Sequence, residues 1–119
     1  MEIAIHEQNG VIIHQFSGEV RFDDILVSWK KLLSDYSSLE DSKGIVTNFL
    51  DAKLSHEDSN LNVLVEFLKG HLDRLKDLKI AIVMDTPMIT NTIIVGERVK
   101  SLQIKPFTTV NAAMHWVRL

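Results

Sequence analysis

Alternation of apolar and polar positions opens the chain. Asn9-Gly10 separates two β-prone runs, and both residues accept the positive φ of a type I′ hairpin turn. That turn predicts a register in which Gln8 faces Val11, Glu7 faces Ile12, Ile5 faces His14 and Ile3 faces Phe16. Ile3, Ile5, Ile12, His14 and Phe16 then share one face, the expected core side. Ala4, His6, Ile13 and Gln15 share the other face, which is mixed. After Ser17-Gly18 the period lengthens to about 3.6 residues, the helical value. Ile25, Leu26, Trp29, Leu32 and Leu33 make one stripe, with Asp24, Lys30 and Lys31 toward water. A polar connection over 34–42 leads to Gly44.

Ile45-Val46-Thr47-Asn48-Phe49-Leu50 is a short apolar run suited to a buried strand, and 51–59 reads as a polar loop rich in helix-capping residues. Leu61, Leu64, Val65, Leu68, Leu72 and Leu75 predict one amphipathic helix, weakened by Gly70 within it. Lys79-Ile80-Ala81-Ile82-Val83-Met84 is the cleanest strand. Thr86 is suited to cap the following helix, with Pro87 at its first position and Ile89, Ile93, Val95 and Val99 along it to about Leu102. Ile104-Lys105-Pro106-Phe107 is a short strand that Pro106 places at a sheet edge. Thr108 or Thr109 caps a last helix with Ala113, Trp116 and Val117 turned inward. The order ββαβαβαβα predicts an α/β fold in one domain over 1–119, a hairpin followed by a mostly parallel sheet.

Composition narrows the function classes. At 119 residues, 45% hydrophobic and 24% charged, the chain has room for one domain with a sizeable core. It has no Cys, which excludes thiol nucleophiles, thiolate metal clusters and disulfides. A net charge of −3 without a basic block argues against nucleic-acid binding. No apolar run approaches the ~18 residues of a membrane span. The first residues lack the basic and apolar regions of a secretory signal, so a cytoplasmic protein is expected.

Four stretches carry a family likeness: Ser17-Gly18-Glu19-Val20-Arg21-Phe22-Asp23-Asp24-Ile25, Val46-Thr47-Asn48-Phe49-Leu50-Asp51-Ala52, Ile80-Ala81-Ile82-Val83-Met84-Asp85-Thr86-Pro87, and the terminal run from Pro106 to Val117 with Ala112, Ala113 and Trp116. Through them the chain resembles the SpoIIAA-like fold, which includes the STAS domains (sulfate transporter and anti-sigma-factor antagonist). Within that fold it looks closest to small stand-alone bacterial proteins loosely linked to lipid-binding Sec14-type domains. The resemblance implies sequential strand order, helices mainly on one face, and a non-enzymatic regulatory module that binds a protein partner or a small ligand without a cofactor. Phospho-regulated STAS proteins carry Asp-Ser-Ser or Asp-Ser-Thr and then Gly at the start of the helix after the third strand. Asp58 and Ser59 match that motif; Asn60 and Leu61 replace its second hydroxyl and its glycine.

Candidate binding residues gather at the carboxyl ends of the strands, where open α/β sheets hold ligands: Asp51, Lys53, Asp58, Ser59, Asp85 and Thr86. Ser59 is also the candidate phosphorylation site, since a phosphoryl group suits a helix start; a plain N-cap explains the same serine. Asp51 and Asp85 admit an enzyme reading if they converge on one substrate atom, and strand-ending or capping roles if they do not. The five histidines show no metal-ligand spacing, so no metal site is expected. Carriage of a lipid or other apolar ligand requires a void beside Trp29, Phe67, Ile89 and Ile93. Finally, helices on one side alone would leave Ala4, Ile13 and either Ala81 with Val83 or Ile80 with Ile82 on an open sheet face. That face is then suited to a partner or a homodimer, or is screened by long polar side chains such as Gln15.

Overall fold

A computed structural model of the chain describes residues 1–36, 39–54, 61–85 and 89–119. β1 (Glu2–Gln8) and β2 (Val11–Val20) form the hairpin. Asn9 (φ 54°) and Gly10 (φ 79°) take the left-handed conformation the turn demands, and the four expected cross-strand pairs are all present. There follow α1 (Phe22–Asp35), a 3₁₀ turn (Leu39–Asp41), β3 (Gly44–Leu54), α2 (Leu61–Gly70) and α3 (Leu72–Leu75). β4 (Lys79–Val83), α4 (Ile89–Arg98), β5 (Gln103–Phe107) and α5 (Val110–Val117) complete the chain. The strands lie in the order β1-β2-β3-β4-β5, with β1 antiparallel and the rest parallel.

Two elements differ from expectation. β3 continues to Leu54, so the polar stretch expected as a loop begins as strand: Ser17–Val20 of β2 pairs with Asp51–Leu54. Burial of Val20, with Ala52 and Leu54 packed on the core, rewards that extension. The helix expected over 61–75 breaks after Gly70, because His71 (φ −120°, ψ 18°) leaves the helical region before α3 resumes. Glycine lowers the resistance to such a break by about 1 kcal/mol relative to alanine.

The core is double. Ile12, Phe16, Ile45 and Ile80 point to one face, where Trp29 and Leu32 of α1, Val65 and Leu68 of α2, Leu75 of α3, and Val95 of α4 cover them. Val11, Ile13, Val46, Ala81 and Val83 point to the other, beneath Ala113 and Val117 of α5. Helices therefore lie mainly on one face, but the fifth occupies the opposite side and covers much of the surface expected to be open. Close packing there has a local cause at the start of β3. A Cβ on Gly44 would stand 2.2 Å from the Lys79 carbonyl oxygen and 2.8 Å from Val117 Cγ1, so only glycine fits. Thr109 caps α5, accepting from the Ala112 N–H at 3.2 Å, and Pro106 sits on the edge strand as expected.

Candidate functional site

The carboxyl edge takes its shape from an irregularity in β3. While β2 advances from Gln15 to Ser17, β3 advances from Asn48 to Asp51, so one extra residue is accommodated. The Leu50 N–H donates to Asn48 Oδ1 at 2.9 Å. Simple alternation would send Asp51 to the face of Ile45, Thr47 and Phe49, under the helices. The bulge inverts it. Asp51 lies instead beside Ser17 on the α5 face, where Gln15 Nε2 donates to its Oδ2 at 3.2 Å. Lys53 follows on the same face, opposite Glu19, and both are exposed. Gln15, Asp51, Lys53 and Glu19 thus make a polar strip along the last turns of β2 and β3.

Asp85 is exposed just beyond β4. Among the described residues no hydrogen bond or ion pair joins it to Asp51 or Lys53. Asp51 leans toward β2 instead. Asp58, Ser59 and Thr86 lie outside the described residues. Three apolar side chains are exposed near the strand ends and on the helices that follow them: Leu50 in the bulge of β3 (37% exposed), Val63 in the first turn of α2 (42%) and Ile93 on α4 (47%). Sequence periodicity placed Ile93 on the inner face of its helix; Thr92, Val95 and Val99 take that face. Exposed Ile93 and buried Trp29 therefore do not line one interior void.

A second polar group lies inside the first core. His14 is fully buried, its Nε2 2.5 Å from Ser28 Oγ of α1, with Phe16 tilted against the ring at 4.5 Å between centroids and Trp29 edge-on at 5.9 Å. Thr47 is its neighbour across β2 and β3. His14 Nδ1 and Thr47 Oγ1 make no hydrogen bond. Burial pushes the imidazole down to a pKa of about 4, so it is neutral near pH 7. A hydroxyl against an imidazole suggests a nucleophile and its base, but both are sealed from solvent and Nδ1 lacks an orienting acceptor. Ser28 falls within the spacing of Ile25, Trp29 and Leu32, so a polar residue in an apolar stripe was the available signal for this pair. Among the described residues no three His, Asp or Glu side chains gather to hold a metal, and no helix is long and apolar enough to cross a membrane.

No protein-family model and no curated protein matches the sequence. Solved structures share the fold. An anti-sigma factor antagonist from Mycobacterium paratuberculosis is 16% identical, with a TM-score of 0.64 over 99% of this chain and 94% of the other. The anti-sigma factor antagonist SpoIIAA in its unphosphorylated form is 11% identical, with a TM-score of 0.61 over 98% of both chains. An uncharacterized protein of the DUF3478 family with a SpoIIAA-like fold, from Shewanella loihica PV-4, is 15% identical, with a TM-score of 0.59 over 98% and 92%. The chain has the SpoIIAA-like fold.

Proposed function

We propose that this domain is a non-enzymatic regulatory module of the cytoplasm that docks a protein partner along the carboxyl edge of its sheet. The observation that carries the reading is the composition of that edge. Leu50 is exposed in the bulge next to Asp51, with Lys53 and Asp85 exposed at the ends of β3 and β4. Val63 and Ile93 are exposed on α2 and α4, the helices that follow those strands. Apolar centres with a polar rim are how protein interfaces are built. The two anti-sigma factor antagonists of the same fold favour a protein over a small molecule as the occupant. Asp58-Ser59, shortly before α2 in the chain, enters as the position where phosphorylation would alter that docking by adding negative charge.

A photo-crosslinking amino acid placed at Leu50, Val63 or Ile93 in the source cells tests this. A covalent adduct with one distinct protein is expected from these positions and not from Lys31, on the solvent side of α1. A Ser59→Asp change in the same experiment is expected to alter the adduct yield. Equal labelling from Lys31, or no protein adduct at the edge, rejects the reading.

A further inference from the structure

We propose that two copies of this chain associate by pairing their β1 strands antiparallel about a two-fold axis at Ala4, joining two sheets into one. β1 is an end strand, exposed along its length apart from half-buried Ile5. The turn dictates which backbone groups face outward. Residues flanking a two-residue turn exchange both backbone bonds, and the pattern alternates from there. Gln8, His6, Ala4 and Glu2 therefore bond inward to β2, and the N–H and C=O groups of Ile3, Ile5 and Glu7 point away from it. At the opposite edge, β5 carries Lys105 and Pro106, residue types that discourage strand addition. β1 carries neither lysine nor proline.

The sequence of β1 selects both the occupant and the register. With the axis at Ala4, Ile3 opposes Ile5 of the second copy, and Ile5 opposes its Ile3, so outward backbone groups meet in bonding pairs. Those side chains lie on the face of the first core, where Ile3, 37% exposed in the single chain, gains an apolar neighbour. On the other face Ala4 meets Ala4, and Glu2 meets His6 twice over. These are non-hydrogen-bonded positions, where side chains approach most closely. An axis at Ile5 would set Glu7 against Ile3 and Gln8 against Glu2. An axis at His6 would oppose the two imidazoles and set Glu7 against Ile5. The Ala4 register matches apolar with apolar and carboxylate with imidazole.

Sedimentation velocity from about 10 μM to about 1 mM covers the range suited to an interface smaller than the standard size. The intact chain is expected to shift from monomer to dimer across it. Ile3→Pro removes an outward N–H and no bond to β2, so it is expected to stay monomeric with unchanged circular dichroism and thermal midpoint. Glu2→Lys replaces both Glu2–His6 pairs with a lysine against the imidazole and is expected to weaken the dimer about tenfold, the combined effect of two lost cross-strand pairs. Adding His6→Glu to that variant is expected to restore it. A chain that stays monomeric throughout, a dimer indifferent to Ile3→Pro and Glu2→Lys, or a double variant no better than Glu2→Lys overturns the proposal. β1 lies outside the edge assigned to partner docking, so these outcomes leave that reading to its own test.

Discussion

Because the imidazole of His14 is sealed beneath α1 and held down to a pKa of about 4, the native state takes up its proton well below the pH at which the unfolded chain does. Between the ordinary value of 6.5 and about 4, unfolding therefore binds a proton. Stability contributed by the neutral ring is complete above the upper value and is lost as pH falls through this window. One group gives a slope of up to about 1.4 kcal/mol per pH unit, or about 3 kcal/mol across the window. Other carboxylates and imidazoles titrate over the same range, so the informative quantity is a difference. Urea melts of the natural chain and of the double variant His14→Leu/Ser28→Ala, at several pH values, isolate it. The natural chain is expected to lose stability faster than the variant as the pH is lowered; parallel curves would mean that His14 takes up its proton over the same pH range folded and unfolded. Removing both partners avoids leaving the Ser28 hydroxyl stranded, which by itself costs about 1–3 kcal/mol.

At the scale of elements, Asn48 deserves the closest test because it stabilises the bulge that sets the candidate site. Its Oδ1 accepts from the Leu50 N–H, a donor displaced from the regular ladder. Asn48→Ala is expected to lower stability by about 1 kcal/mol and to speed amide exchange at Leu50 about fivefold. Unchanged exchange would mean that water replaces the side chain without loss. The hairpin, by contrast, was legible to the residue. Two left-handed positions leave no freedom in the pairing that follows, and Ile5 meets His14 as the turn requires. Asp51 was legible as a carboxylate near the carboxyl edge but not as to its face, since a bulge is a choice among backbone hydrogen bonds that side-chain periodicity does not record. The side taken by α5 was equally hidden: Ala113 and Val117 mark an apolar stripe without saying which sheet face receives it. A cue did exist in β3, where Ile45 and Val46 are both apolar, the pattern of a strand covered on both sides.

The whole molecule is a sheet between two unequal cores, and the remaining question is whether they fold as one. α5 packs on Val11, Ile13, Val46, Ala81 and Val83, which alternate along the same strands with Ile12, Ile45, Ile80 and Ile82 of the other core. Releasing α5 would therefore uncover one face of β2, β3 and β4 while the helices on the other side still depend on those strands. Shared strands favour cooperative loss of both layers over detachment of one. The two tryptophans separate the alternatives, since Trp29 reports from beneath α1, and Trp116 from α5 beside Phe107. Val117 is buried against the second core, and Val117→Ala is expected to destabilise by about 1–2 kcal/mol through lost burial and the space left behind. In single-tryptophan versions made with Trp29→Phe or Trp116→Phe, that substitution is expected to lower the unfolding midpoint equally for both reporters. A shift seen by Trp116 alone would make α5 a separately melting layer, held to the sheet by its own contacts and not by the fold as a whole.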